Sequence, residues 1–142
     1  MRRNKWLAGI GIAFFTVMIL ATGGFIYWAN NPLPAQPAAI NSLQSDAIVQ
    51  IKTDPWYQFS PTEGSPQIGL ILYPGGRVEA LAYAPTARAI AEHGFLVVLP
   101  EMRLNLAVFS PDITEEIIAS YPDIDTWAIG GHSLGGAMAA RY

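Results

Sequence analysis

The sequence lacks cysteine altogether and has few charged residues and only two histidines. Without cysteine, disulfides and thiolate metal sites are excluded, although this absence does not select a cellular compartment. The net charge of −3 is too small to indicate a nucleic-acid partner, and no basic run follows the N-terminus. We expect no metal and no cofactor. With 51% hydrophobic and 13% charged residues in 142, the composition is typical of one folded domain rather than a disordered chain.

The N-terminus departs most from this average composition. Residues 1–5 carry three cations, and residues 6–29 contain no charged residue. As a helix this run would be about 36 Å long, enough to cross a hydrocarbon core of about 30 Å. Trp6 lies at one end and Tyr27 and Trp28 at the other, where such rings favour the two membrane interfaces. The pattern predicts a transmembrane signal-anchor helix that contacts the lipid bilayer.

The charge distribution predicts how this helix is oriented. Residues 30–45 contain no Lys or Arg, so the positive-inside bias places residues 1–5 in the cytoplasm and the rest of the chain outside it. One alternative is a cleaved signal peptide with a small-residue site at 21–23, which would give a secreted product. Its apolar core would exceed the usual length of about 7–15 residues. A buried core helix is the other alternative.

The segment 30–45 is predicted to be a linker. Pro32, Pro34 and Pro37 prevent helix continuation and favour an extended spacer. The folded domain is therefore expected to comprise residues 46–142.

Apolar runs and helix signals alternate along this domain. Strand patterns come first and then alternate with helix patterns, which predicts an α/β fold with a mostly parallel sheet flanked by helices. The predicted strands are 47–53, 56–59, 68–73, 95–99 and 126–130, and the predicted helices are 85–93, 110–120 and the segment from Leu134 onward.

A G-x-S-x-G motif stands between the last predicted strand and the last predicted helix. It comprises Gly131 to Gly135, with Ser133 at its centre. A serine on such a strand-to-helix turn is presented above the sheet, and glycines on either side remove side chains that would collide there. We therefore interpret Ser133 as a nucleophile, with the backbone amide of Leu134 facing the oxyanion. The alternative is a glycine-rich turn without chemistry. A P-loop is excluded because the lysine of that motif is missing.

We call the loop 73–78, which ends the strand 68–73, the oxyanion loop, because it is the candidate for a second oxyanion donor. With its "YPGGRV" loop and "GGHSLGG" elbow, the chain resembles the α/β-hydrolase superfamily. Pro74–Gly75 stands where that superfamily often has His-Gly. The resemblance implies that the amide of Gly76 or of Arg77 completes the oxyanion hole, and the sequence leaves the two open. An ordinary β-to-α turn is the alternative.

This resemblance extends from about residue 46 to the C-terminus. It is nearest to a small-esterase, dienelactone-hydrolase-like branch and implies a small-molecule ester as substrate. The dienelactone hydrolases themselves use a cysteine nucleophile, so Ser133 argues against assigning their substrate to this chain.

The base and acid of a catalytic triad are missing from the expected positions. In this fold they follow the serine, but residues 134–142 contain no His, Asp or Glu. His132 is adjacent to the serine on a tight turn, so its ring should point elsewhere. His93 precedes a strand and should lie about 17–20 Å away, at the opposite end of the sheet. We therefore expect an N-terminal fragment of a hydrolase that alone is inactive.

Four acidic or basic residues near the motifs are further candidates for the site. Asp123 and Asp125 precede the last strand, at its wrong end for chemistry. Arg77 and Glu79 lie near the oxyanion loop but equally fit a solvated ion pair.

The sequence thus favours a membrane-anchored, extracytoplasmic serine hydrolase that forms an acyl-serine intermediate. Two alternatives are kept. One is an inactive hydrolase-like binding module, and the other is an acyltransferase or thioesterase that uses the same serine.

Overall fold

The computed structural model of the chain describes residues 2–142, with side chains from residue 5 onward. The helices and strands in this part of the chain are α1 (Arg2–Ala29), α2 (Pro37–Asn41), β1 (Val49–Lys52), β2 (Tyr57–Pro61), β3 (Ile68–Tyr73), α3 (Ala84–Ala91), β4 (Leu96–Leu99), α4 (Ile113–Ser120), β5 (Thr126–Gly131) and α5 (Leu134–Ala139). Short 3₁₀ turns occupy residues 80–83, 103–105 and 107–109.

The five strands form one mixed sheet in the order β1-β2-β4-β3-β5. β1 and β2 pair antiparallel, as do β2 and β4, whereas β3 is parallel to both of its neighbours, β4 and β5. The predicted α/β fold is confirmed. Its parallel part is the β4-β3-β5 half, and β5 is an edge strand within the described residues.

The continuous apolar runs of β3 and β4 are explained by burial on both faces of the sheet. All four residues of β4 are buried. Alternate residues point to opposite faces, so Leu96 and Val98 enter a core with α4 and α5, while Val97 and Leu99 enter a core with α3. These central strands position the loops that follow their carboxyl ends.

The helices begin and end close to their predicted limits, with one difference at α4. The sequence predicts this helix from Ser110, but its first residue is Ile113 and its N-cap position is Asp112. Ser110 is buried, and its hydroxyl accepts a hydrogen bond from the amide of Arg103 at 2.9 Å instead of capping α4. The serine therefore joins two turns of the β4–α4 loop.

Helix α1 covers the predicted transmembrane segment. Lys5–Ala29 is long and apolar enough to cross a membrane, with a mean hydropathy of 2.0 over its most apolar window and no residue of that window buried in the protein. By length and composition it fits either a membrane span or a signal sequence.

The linker differs from the expected extended spacer. Residues 37–41 form the short helix α2, which starts with Pro37 in the first turn. Before it, Leu33 pairs with Val78 in an isolated parallel bridge, with its amide 2.6 Å from the carbonyl oxygen of Arg77. The segment after α1 thus contacts the domain.

Candidate active site

Ser133 lies on a sharp turn between β5 and α5. Its backbone has φ 50° and ψ −120°, a combination that L residues rarely adopt and that costs about 1–3 kcal/mol. The residue is exposed and immediately precedes the first residue of α5. A strained serine at the start of a helix is the geometry predicted from the motif.

Two glycines of the motif are required by close backbone contacts. A Cβ on Gly131 would lie 2.8 Å from the carbonyl oxygen of Tyr73, and one on Gly135 would lie 2.6 Å from the same oxygen. Real Cβ atoms do not come this close to backbone atoms. The turn therefore packs directly on the end of β3, where the amide of His132 donates to the Tyr73 oxygen at 3.1 Å.

The loop after β3 meets the elbow at Gly76. Tyr73 is the register partner of Gly131, so the two segments leave the sheet side by side. A Cβ on Gly76 would lie 3.1 Å from Cδ2 of Leu134, which shows how closely the loop approaches the first turn of α5.

The amides of this loop differ in their hydrogen bonds. The Gly75 amide donates to the hydroxyl of Tyr83 at 3.0 Å, and the Arg77 amide donates to the carbonyl oxygen of Asn105 at 2.8 Å. Within residues 2–142, the amides of Gly76 and Leu134 have no acceptor. Of the two loop amides left open by the sequence, only that of Gly76 is thus available to an oxyanion.

Tyr83 is a site residue that the sequence reasoning missed. Its hydroxyl accepts from the Gly75 amide and lies 2.9 Å from Nδ1 of His132, so it joins the oxyanion loop to the elbow. The ring of His132 is thereby engaged with Tyr83, away from the serine, as expected for a residue that is not the base. No sequence pattern marks Tyr83, because its role arises from a contact between segments 49 residues apart.

Arg77 and Glu79 do not form the solvated ion pair that the sequence allowed. The Arg77 guanidinium donates to the carbonyl oxygens of Trp28 at 2.8 Å and Asn31 at 2.5 Å. The Glu79 carboxylate accepts from the amide of Ala35 at 2.8 Å. Both side chains hold the segment after α1 against the oxyanion loop.

The other titratable candidates lie at the opposite end of the sheet. His93 precedes β4, and its Nδ1 lies 3.0 Å from the carbonyl oxygen of Ala89. Asp123 and Asp125 precede β5. Since β3, β4 and β5 are parallel, these residues lie at the amino ends of the strands, whereas Ser133 follows the carboxyl end of β5.

Among residues 2–142 the Ser133 hydroxyl has no hydrogen-bond partner, and no group of three or more His, Asp or Glu is placed to bind a metal.

Below the site, a buried hydroxyl pair links β3 to α4. The hydroxyls of Tyr73 and Thr114 are 2.5 Å apart, and Thr114 is fully buried. Burial raises the pKa of Tyr73 above its ordinary value, so this hydroxyl stays neutral at physiological pH. The pair therefore serves as a neutral anchor for the strand end that carries the oxyanion loop.

Comparison with known proteins agrees with this geometry. The sequence model of the alpha/beta hydrolase family matches residues 69–142, which include all of β3 but its first residue, the oxyanion loop and the elbow. The chain belongs to this family. No curated protein matches it significantly.

Proposed function

We propose that the chain belongs to a membrane-anchored serine hydrolase whose catalytic domain lies outside the cytoplasm. Its nucleophile is Ser133, and its substrate is a small-molecule carboxylic ester. The observation that carries the proposal is the strained backbone of Ser133 at the start of α5, beside two amides without acceptors.

The proposed chemistry follows from the positions of these groups. A base removes the hydroxyl proton as Oγ attacks the ester carbonyl, and the carbonyl oxygen becomes an oxyanion. The amides of Gly76 and Leu134 donate to that oxyanion. The intermediate then collapses, the C–O bond to the alcohol breaks, and the alcohol leaves with a proton. Water releases the acyl group from the serine in a second step.

Turnover requires a base and an orienting acid beside Ser133. His132 is engaged with Tyr83, and His93 lies at the far end of the sheet. The proposal therefore requires that both groups come from outside these 142 residues. The apolar length and charge pattern of α1 support the proposed membrane anchor with the N-terminus in the cytoplasm.

Ester hydrolysis by the product of the complete reading frame tests this proposal. Ser133→Ala should lower kcat/KM by a factor on the order of 10⁴–10⁶, because the hydroxyl is needed only for chemistry. Ser120→Ala, on an exposed face of α4, is the matched control and should retain activity. Activity that survives Ser133→Ala would contradict the assignment of the nucleophile.

A further inference from the structure

The C-terminal end of α1 is docked on the loops that carry the candidate site. Helices leave their last four carbonyl groups without partners inside the helix. Here all four are satisfied. Those of Ile26 and Tyr27 accept from Asn30 and Asn31, next in the chain. The remaining two accept from the domain: Trp28 from Nε of Arg77 at 2.8 Å, and Ala29 from Nδ2 of Asn105 at 2.9 Å.

Arg77 makes the most contacts in this docking. Besides its two side-chain hydrogen bonds to carbonyl oxygens, its guanidinium carbon lies 4.4 Å from the centre of the Trp28 ring. A cation at a helix C-terminus is also favoured by the helix dipole. Arg77 directly follows Gly76, on which a Cβ would lie 3.1 Å from Cδ2 of Leu134. The end of α1 thus contacts Arg77, and the neighbouring Gly76 packs against Leu134 in the first turn after Ser133.

The loop between β4 and α4 continues the apolar surface of α1. The ring of Phe109 meets that of Phe25 edge-to-face, with centroids 6.1 Å apart. Val108 and Phe109 are 46% and 40% exposed, although both are large apolar residues. Phe109 lies beside the end of α1, and Val108 precedes it in the same 3₁₀ turn.

Helix geometry gives the depth of this contact in a bilayer. From Trp6 to Phe25 the helix rises about 28 Å, close to the hydrocarbon thickness of about 30 Å. With Trp6 at the inner interface, Phe25 lies at the outer edge of the hydrocarbon core. Phe109, whose ring centre is 6.1 Å from that of Phe25, then lies within that distance of the same level.

We propose that Val108 and Phe109, together with the end of α1, form a bilayer contact that holds the candidate site against the outer membrane surface, and that Arg77 is the positioning residue for this contact. The proposal rests on the membrane anchor of the proposed function. It commits to lipid as the occupant of this exposed apolar surface, because that surface is continuous with the lipid-facing side of α1.

Site-directed spin labelling tests the proposed bilayer contact independently of enzymatic activity. The chain has no cysteine, so each introduced cysteine carries the only label. With the chain in phosphatidylcholine vesicles, a nitroxide at Val108→Cys should collide more with oxygen, which partitions into lipid, than with a water-soluble nickel chelate. The control is Glu63→Cys, on an exposed turn before the amino end of β3, where the nickel chelate should dominate. Equal nickel access at the two positions would overturn the proposed contact.

Arg77→Met tests the positioning role. Losing two hydrogen bonds from a charged group should lower the ratio of docked to undocked molecules on the order of tenfold or more. Nickel access at position 108 should rise accordingly. Arg103→Met is the matched control, since Arg103 is exposed and its side chain makes no hydrogen bond within the described residues. An unchanged label depth in Arg77→Met would contradict the role of Arg77.

A second variant covers the case in which Arg77→Met fails to fold. Asn105 has φ 52°, a left-handed backbone that glycine adopts without strain, so Asn105→Gly removes the bond to the Ala29 carbonyl and should shift the same label in the same direction by a smaller amount. No shift would count against the docking. Extraction of the whole chain by alkali would contradict the anchor itself, whereas an anchored chain with a water-exposed label at 108 would contradict only this inference.

Discussion

At the scale of single residues, the site depends on hydrogen bonds that no motif specifies. Tyr83 connects Gly75 to His132, and Arg77 connects the same loop to the end of α1. Both residues lie in the connection 74–83 between β3 and α3, where the sequence marks only the glycines of the loop after β3. The Tyr83 hydroxyl engages the Gly75 amide, and the Arg77 guanidinium holds the loop against the end of α1.

Replacing Tyr83 by Phe should destabilise the oxyanion loop. The variant leaves the buried Gly75 amide without an acceptor, at a cost of about 1–3 kcal/mol. Urea unfolding in detergent measures the change in free energy. Tyr57→Phe is the control, because that hydroxyl makes only a long 3.4 Å contact with exposed Glu101. Equal stability of the two variants would mean that Tyr83 does not hold the loop.

Asp46 should make stability depend on pH at the acidic end. The amides of Val49 and Ile48 donate to its carboxylate at 2.8 Å, and with Arg88 nearby they lower its pKa below the ordinary value of 3.8. A lowered pKa contributes stability above pH 3.8, and this contribution is lost as pH falls through the folded-state pKa. Asp46→Asn should therefore be less stable than wild type near neutral pH, and the difference should narrow below pH 3.8.

Unfolding curves recorded at a series of pH values provide this measurement. Glu63→Gln is a suitable reference, because its exposed carboxyl makes no hydrogen bond within the described residues. A difference between Asp46→Asn and wild type that stays constant with pH would show that the carboxylate charge has no such role.

At the scale of secondary-structure elements, the elbow is fixed by the packing of β3 against the turn between β5 and α5. The sequence alone could predict this turn, because the spacing of its glycines indicates where two backbone segments pack closely together. It could also predict the buried strands, since Leu96–Leu99 is apolar at every position and lies buried on both faces. It could not predict α2, because five residues that begin with a proline carry too little pattern to distinguish a helix from a spacer.

Alanine at the two packed glycines should distort the elbow. Gly131→Ala and Gly135→Ala each bring a Cβ within 3 Å of backbone atoms, which should cost about 1–3 kcal/mol or more. Gly130→Ala is the matched control from the same run, since its Cβ would have only a side-chain atom at 4.0 Å. Thermal unfolding of the three variants compares them. Similar losses at all three positions would contradict the close-packed elbow.

At the scale of the whole molecule, the chain joins one apolar helix to an α/β-hydrolase domain. The sequence predicts both parts separately, because hydropathy identifies the helix and strand patterns identify the domain. Their contact through Trp28, Arg77 and Asn105 could not be predicted, since it depends on the direction in which the segment after Ala29 leaves the helix.

The proposed orientation predicts where a reporter should be active. A reporter fused after Gln44 should show activity outside the cytoplasm, and replacing Arg2, Arg3 and Lys5 by Gln should weaken that orientation. The protein should also remain in the membrane fraction after an alkaline wash. A cytoplasmic reporter signal would contradict the orientation. A soluble product that begins near Gly24 would identify a cleaved signal peptide instead of an anchor.

The central claim is that Ser133 is the nucleophile, and the site of covalent labelling tests it most directly. A fluorophosphonate probe should react with the product of the complete reading frame, and the modified tryptic peptide should be 104–141, which contains three serines. Fragmentation should place the phosphonate on Ser133. Labelling should disappear in Ser133→Ala and persist in Ser120→Ala. A phosphonate on another residue, or labelling unchanged in Ser133→Ala, would contradict the account.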